Sequence, residues 1–291
     1  MKYALFLGCT IPARSRNYEI SARAVASRLD LELIDVDEFS CCGFPLEASS
    51  EMGAILLGAR NICLAEEKGL DICALCSACA SLLTKTANRL DNDERLRALV
   101  NNELIKIGKE YKGSQKIKHF ARIMFEDVGL ERIRQETKRN LQGLNVATHY
   151  GCHYLKPSYI YGGFDDPQDS FTIEAILDTL GITSTQYRRK KDCCGGPVLL
   201  SDENIALNMA KEKLQYIKEA GADCINLVCP FCSLMFDANQ KSMEAQFGKE
   251  FNIPVLYLPQ IMGLAMGFDR KELGLNLNSV STKELESRFG L

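Results

Sequence analysis

Short apolar runs alternate with longer segments of helical periodicity along the whole chain. The short runs predict strands, and the longer segments predict helices because their apolar residues recur on one face. The predicted strands cover residues 3–7, 32–37, 72–75, 145–149, 183–187 and 224–228. The predicted helices cover residues 20–29, 51–68, 79–90, 171–180, 203–220 and 232–243. This alternation indicates βαβ units, and therefore an α/β fold with mostly parallel sheets.

The same order of elements occurs twice, which indicates an internal duplication. We predict two pseudo-symmetric Rossmann-like halves, one domain over residues 1–143 and a second over residues 144–291. The charged segment 130–143 between them predicts a solvated connecting helix that stops at Gly143, with a partner-binding surface as the alternative. The residues that match between the halves include Glu51, Glu67 and Gly69, which correspond to Glu203, Glu219 and Gly221.

Composition narrows the class of protein. The chain has 291 residues, of which 46% are hydrophobic, so it can bury a core without cross-links. A net charge of −3 argues against a nucleic-acid partner. The first apolar run is too short for a secretory signal, and none approaches the roughly 20 apolar residues of a membrane helix. We therefore expect a cytoplasmic protein without membrane insertion.

Thirteen cysteines are more than a chain of this length needs for stability, and an odd number argues against a disulfide framework. In a reducing cytosol, clustered cysteines are metal ligands or redox catalysts. Ten of them form one pattern that occurs twice, a lone Cys, a Cys-Cys-Gly and a Cys-x-x-Cys. The first cysteine set is Cys9, Cys41, Cys42, Cys76 and Cys79, and the second cysteine set is Cys152, Cys193, Cys194, Cys229 and Cys232.

Each member of a set follows a predicted strand, so the five thiols of a half are expected at the carboxyl edge of its sheet, where α/β proteins bind ligands. A structural zinc needs four ligands, whereas each set has five. Adjacent cysteines reach two metals more easily than one, because the peptide between them is planar. The pattern favours a multinuclear iron–sulfur cluster in each half, with zinc as the alternative. Cys63, Cys73 and Cys224 are left over, and Cys63 and Cys224 are interpreted as buried structural residues. Cys73-x-x-Cys76-x-x-Cys79 resembles the start of a ferredoxin-type motif, but no Cys-Pro follows and Ile225 stands at the matching position of the second half, so a structural role is favoured for Cys73 over a ligand.

The two cysteine sets resemble the two CCG domains of the catalytic B polypeptide of methanogenic heterodisulfide reductase. The resemblance extends from Tyr3 to about Gly267, and includes the contexts Gly8-Cys9-Thr-Ile-Pro and Gly151-Cys152-His-Tyr. It implies one non-cubane [4Fe–4S] cluster on each cysteine set. It implies reduction of the coenzyme M–coenzyme B heterodisulfide to two thiols in methanogenesis. The implied partners are an iron–sulfur C subunit and a flavoprotein A subunit, with a hydrogenase as a further component.

Three other side chains are candidates for roles in that reaction. His153, next to Cys152, is a candidate proton donor to a departing thiolate, or else a residue that orients the cluster. Arg14 and Lys156 follow the lone cysteines at similar distances and are candidate anchors for the anionic ends of the substrate. His149 lies within a predicted strand and is expected in the core, and His119 has no assigned role.

Three alternative functions remain open. A CCG electron-transfer subunit of another system, for hydroxy-acid oxidation or of the thiol:fumarate reductase type, would use the same ten cysteines. A glutaredoxin-like oxidoreductase would use Cys229-Pro-Phe-Cys232 alone and leaves the other cysteines unexplained. A non-catalytic zinc protein is the third.

Overall fold

The computed structural model describes residues 1–290, and within them the chain forms two four-stranded sheets whose strand pairs are all parallel. The strand orders, β2-β1-β3-β4 and β6-β5-β7-β8, are equivalent, which confirms the predicted α/β duplication. The first sheet comprises β1 (Lys2–Phe6), β2 (Glu32–Asp35), β3 (Asp71–Ala74) and β4 (Ile117–His119). The second comprises β5 (Asn145–His149), β6 (Thr183–Ser184), β7 (Cys224–Leu227) and β8 (Val255–Tyr257).

Helices cover both sheets, and their starts follow local capping rules. Ser50 and Asp202 occupy equivalent N-cap positions, where their side chains accept hydrogen bonds from the backbone N–H groups of Gly53 (3.2 Å) and Ile205 (2.9 Å). No helix within residues 1–290 is both long and apolar enough to cross a membrane. The helices are α1 (Thr10–Arg14), α2 (Arg16–Arg28), α3 (Glu51–Glu67), α4 (Ser77–Asn92), α5 (Glu94–Leu104), α6 (Phe120–Ile123), α7 (Leu130–Glu136), α8 (Thr172–Thr179), α9 (Glu203–Glu219), α10 (Pro230–Ser233), α11 (Gln240–Phe247), α12 (Leu258–Ala265) and α13 (Lys283–Phe289).

The predicted connecting helix 130–143 is wrong in its C-terminal part, since α7 ends at Glu136 and Gly143 lies in a loop. The reason is tertiary. The backbone N–H groups of Lys138 and Arg139 both donate to the carbonyl oxygen of Ala265 at 2.8 Å, which draws the chain away from a helical path. Leu141 is fully buried, so the segment is also less solvated than its charges indicate.

The predicted helix 232–243 is also interrupted. The Leu234–Ala238 segment is π-helical and separates α10 from α11. Within it, the buried carboxylate of Asp237 accepts hydrogen bonds from the backbone of Ser279 (2.8 Å) and Val280 (2.9 Å). These hydrogen bonds tie the π-helical segment to a part of the chain about forty residues further on.

One helix of each half packs against the other half. Helix α12 follows the second sheet yet packs against α2 of the first half, and α7 packs against α8 of the second half. The rings of Tyr18 on α2 and Tyr257 at the end of β8 stack at 4.0 Å with an angle of 13° between planes. A domain boundary at residue 143 therefore places the two sheets in separate domains, although α7 and α12 each pack against the domain to which they do not belong.

Candidate metal centre

The two cysteine sets lie at the carboxyl ends of the strands, as the strand pattern predicts. Cys9 and Cys152 follow β1 and β5 after short turns, and the Cys-Cys pairs follow β2 and β6. Cys76 and Cys229 are the N-cap residues of α4 and α10. Each Cys-x-x-Cys motif thus opens a helix.

A glycine after each Cys-Cys pair brings the ligand loop against the helix that follows. Gly43 has a φ of +103° and Gly195 a φ of +86°, a region that other residues rarely adopt. A Cβ atom on Gly43 would lie 2.8 Å from the carbonyl oxygen of Ala54, and one on Gly195 would lie 2.7 Å from that of Ala206. The third residue of Cys-Cys-Gly thus allows a close approach of two backbones.

Within the first cysteine set the thiols form a continuous chain of contacts. Cys41 Sγ lies 4.0 Å from Cys9 Sγ. Cys42 neighbours Cys41 and Cys79, both of which shift its pKa, and Cys79 in turn neighbours Cys76. The chain runs from the exposed thiol of Cys9 to the buried thiol of Cys76.

The second cysteine set repeats this arrangement. Cys193 neighbours Cys152 and Cys194, both of which shift its pKa. Cys194 Sγ lies 3.4 Å from Cys232 Sγ, and Cys232 neighbours Cys229. The chain here runs from the half-buried Cys152 to the buried Cys229.

The two chains of thiols meet in the interior, where Cys76 and Cys229 are close enough to shift each other's pKa, that of Cys76 upwards and that of Cys229 downwards. Backbone contacts support this junction. Ser77 Oγ donates to the carbonyl oxygen of Val228 at 3.1 Å, and His119 Nε2 lies 2.9 Å from the same oxygen and 3.2 Å from that of Leu75. All ten thiols of the two sets therefore belong to one continuous array.

Neighbouring thiols control one another's ionisation. Hydrogen bonds from Cys41 and Cys79 lower the pKa of Cys42 to about 4. Hydrogen bonds from Cys152 and Cys194 lower the pKa of Cys193, and those from Cys232 and Cys76 lower the pKa of Cys229. The same neighbours raise the pKa of their partner thiols, so ionisation is favoured at Cys42, Cys193 and Cys229, and the thiolate is the form in which cysteine binds metals.

The donor set fits an iron–sulfur cluster. Five sulfur ligands per site exceed what a tetrahedral zinc takes, and soft thiolates suit iron–sulfur chemistry. One ring nitrogen of His149 and the Sγ atoms of Cys194 and Cys232 also lie within 4.8 Å of one another. Four thiols of the first set line one cavity together with Phe44 and Phe231, an apolar surround that limits access of water.

The three remaining cysteines lie apart, in regular elements. Cys63 is in α3, Cys73 in β3 and Cys224 in β7, and each is at most 1% exposed. Burial raises the pKa of Cys63 to about 12 and raises those of Cys73 and Cys224 further. Neutral buried thiols are packing residues, so the geometry agrees with a structural interpretation.

His153 lies between the two cysteine sets. It follows Cys152, and its ring packs edge-on against Phe44, with ring centroids 4.8 Å apart. Phe44 follows the first Cys-Cys-Gly, and its backbone N–H donates to Cys42 Sγ at 3.5 Å. A single half-buried imidazole thus borders both sets.

The two candidate anchors lie in different surroundings. Lys156 is exposed and lines a cleft with Cys152, Lys190 and Lys191. Arg14 is exposed at the end of α1. Residues 188–191, just before Cys193, are all basic, and three of their four side chains already have partners within the chain. Lys190 pairs with Glu174, Arg189 pairs with Asp192 and Glu212, and Arg188 lies over the ring of Tyr216.

Two polar side chains beside the second cysteine set were not assigned any role from the sequence. His149 is buried as predicted, but Lys213 Nζ lies 3.4 Å from its Nδ1. Burial lowers the pKa of Lys213 to about 8. The sequence feature that could have identified Lys213 is its position on the apolar face of α9, between the buried residues Ala210 and Leu214.

Comparison with known proteins agrees with this geometry. Residues 3–84 and 146–237, together more than half of the chain, match the cysteine-rich domain family CCG. The chain is 34% identical over 292 residues, covering 99% of this chain and 97% of the relative, to the B polypeptide of the ferredoxin/F420H2-dependent CoB-CoM heterodisulfide reductase of Methanosarcina acetivorans. It is 28% identical over 285 residues to the 8-methylmenaquinol:fumarate reductase membrane anchor subunit of Wolinella succinogenes, covering 98% of this chain and 99% of the relative.

The fold is also found in a solved structure. A hypothetical protein from Helicobacter pylori superimposes with a TM-score of 0.78 at 17% sequence identity. The match covers 96% of this chain but only 52% of that one, so the present chain spans about half its length.

Proposed function

The chain belongs to the heterodisulfide reductase B family with two CCG cysteine-rich domains, and from that premise we propose that it reduces the coenzyme M–coenzyme B heterodisulfide during methanogenesis. The observation that carries the proposal is the continuous array of ten thiols, joined across the halves by Cys76 and Cys229. The reaction takes up two electrons and two protons, breaks one S–S bond and releases two thiols. When bound, an iron–sulfur cluster on each cysteine set would supply electrons one at a time. We propose two clusters of the non-cubane [4Fe–4S] type.

The chain's own residues would supply a proton and the binding of anions. His153 is the proposed proton donor, because it borders both cysteine sets and an imidazole exchanges protons near neutral pH. Lys156 is the proposed anchor for one anionic end of the substrate, since its cleft also contains Cys152. Arg14, exposed near Cys9, is the proposed anchor for the other end.

A member of this family works within a multi-subunit complex. We propose that electrons arrive from an iron–sulfur C subunit and ultimately from a flavoprotein A subunit, with a hydrogenase as a further component. The location that we propose for this complex is the cytoplasm. The interlocked helices of the two halves would keep both cysteine sets in register during turnover.

The relative that belongs to a fumarate reductase supports one alternative. In it, the same two sets would pass electrons to another redox partner and would not cleave a disulfide. The site residues that differ between the two functions are His153, Arg14 and Lys156, because a relay of electrons alone needs neither a proton donor nor anchors for anions.

The test is an anaerobic preparation of the chain with its partner subunits. Iron and sulfide analysis separates an iron–sulfur protein from a zinc protein. Turnover of the coenzyme M–coenzyme B disulfide with reduced viologen, together with an EPR change on adding the disulfide, would support the reductase. Iron–sulfur content without turnover and without a spectral response to the disulfide would favour the alternative, and zinc without sulfide would overturn both.

A further inference from the structure

The tautomer of His149 follows from its neighbour. His149 ends β5 and is 1% exposed, and Lys213 Nζ lies 3.4 Å from its Nδ1. An ammonium group only donates hydrogen bonds, so Nδ1 must accept, and the ring proton of the neutral imidazole resides on Nε2. The lysine therefore determines which nitrogen of His149 carries hydrogen.

That Nε2–H group has no protein partner within residues 1–290. Buried N–H groups nearly always have an acceptor, so this one requires an acceptor that the chain itself does not supply. The metal-binding sulfurs of Cys194 and Cys232 lie within 4.8 Å of a His149 ring nitrogen. Sulfur of a cluster held by these cysteines would be a suitable acceptor.

Lys213 is itself firmly held beside the second Cys-Cys pair. Its Nζ donates to the carbonyl oxygen of Lys190 at 3.0 Å and to that of Asp192, the residue before Cys193. The side chain is buried, at 2% exposure. One positive charge is thus fixed in a poorly hydrated place next to the second cysteine set, where it acts more strongly than at the surface.

The first half has neither group at the equivalent positions. Phe6 is the equivalent of His149, since each lies three residues before the lone cysteine of its set. Each also pairs with the equivalent residue of the neighbouring strand, Phe6 with Ala74 and His149 with Leu227. Asn61 occupies the place in α3 that Lys213 has in α9. Its amide donates to the carbonyl oxygen of Cys41 at 3.0 Å, so it supports the loop without adding charge.

We propose that Lys213 and His149 make the cluster of the second cysteine set the more easily reduced of the two, so that the first electron to arrive resides there. Reduction by one electron adds one negative charge to a cluster. A hydrogen bond to cluster sulfur and a nearby cation both stabilise the added charge and raise the reduction potential. The inference rests on the proposed function only in requiring that both sets hold clusters.

The experiment is an EPR-monitored potentiometric titration of the anaerobic holoprotein with dithionite. The unaltered protein should show two potentials. In His149→Phe and Lys213→Met the higher potential should fall towards the lower one, while the lower stays in place. Lys211→Met is the matched control, since it removes a positive charge from the same helix at a side chain that lies over the Phe247 ring, 4.4 Å from its centre.

Absence of iron would contradict the proposed function. Iron-loaded variants with unchanged potentials, or a shift of the lower potential alone, would overturn the inference and leave the function intact.

A second measurement needs no variant at His149 or Lys213. With ¹⁵N-labelled histidine, pulsed EPR of His119→Gln/His153→Gln protein should show weak coupling to the one remaining histidine. No coupling, or coupling strong enough for direct ligation of iron, would also overturn it.

Discussion

His119 Nε2 lies 2.9 Å from the carbonyl oxygen of Val228, although His119 ends a strand of the first sheet and Val228 follows a strand of the second. The same nitrogen lies 3.2 Å from the carbonyl oxygen of Leu75. Leu75 and Val228 immediately precede Cys76 and Cys229, so one imidazole ties together the two segments where the cysteine sets meet. The backbone N–H of Ala121 donates to Nδ1 at 3.1 Å, which leaves the proton on Nε2 as the donor.

Because His119 is buried, we expect the folded protein to lose stability in acid. Burial lowers its pKa from 6.5 to about 4, so below pH 6.5 the unfolded chain binds a proton that the folded chain does not. This histidine's contribution is complete above pH 6.5 and falls by about 1.4 kcal/mol per pH unit as the pH drops towards 4. Anaerobic urea denaturation of the protein and of His119→Gln should therefore converge at low pH. Parallel pH profiles would contradict this, and His153→Gln, at a half-buried ring, is the control.

Gly43 predicts a specific requirement for glycine in the first Cys-Cys-Gly. An alanine there would strain the backbone by about 1–2 kcal/mol and would also collide with Ala54. Gly43→Ala should lose iron from the first set. The control Gly69→Ala has a similar strain, at a φ of +64°, but no atom within 4 Å of the added Cβ, and it should retain iron. Equal iron contents would refute the role of the close contact.

Cys73 predicts retention of iron after substitution. Cys73→Ala leaves a small void in β3, which should lower the free energy of unfolding by about 1 kcal/mol. Iron and sulfide per chain should equal those of the unaltered protein, whereas Cys76→Ala should lose iron. A decrease of iron in Cys73→Ala would make Cys73 a ligand.

His153 predicts an effect on turnover without an effect on cluster content. His153→Gln removes an ionisable group between the two sets and keeps a side chain of similar size. General acid catalysis typically contributes 10²–10⁴-fold, so kcat should fall by about 100-fold or more at unchanged iron. Unaltered turnover of the disulfide would exclude His153 as proton donor.

Lys156 predicts a change in KM. A charge-assisted hydrogen bond is worth about 1.5–3 kcal/mol, so Lys156→Ala should raise the KM for the disulfide by about 10-fold or more. Arg14→Ala should act in the same direction, with kcat little changed in both. Lys68→Ala, at an exposed lysine after α3, is the surface control. An unchanged KM in Lys156→Ala would remove that residue from the substrate site.

The amino-acid pattern alone predicts the duplication, the parallel α/β architecture and the placement of the cysteines at strand ends. These features are encoded locally, because periodicity reports which face of an element is buried and motif spacing reports where strands end. The same signal misses β4 and β8, which have three residues each and show no detectable alternation, and it extends β6 to residues 183–187 although that strand covers only Thr183–Ser184.

The contacts between the two halves could not be predicted from the amino-acid pattern. The contact of Cys76 with Cys229, the exchange of α7 and α12, and the bridge made by His119 all depend on how two sheets dock. The early end of α7 has the same origin, in hydrogen bonds to Ala265. The sequence shows that only the second half has a histidine and a lysine at the positions of His149 and Lys213. That the two side chains interact depends on the distance between residues 64 positions apart. Such a distance is set by long-range packing, which local patterns do not encode.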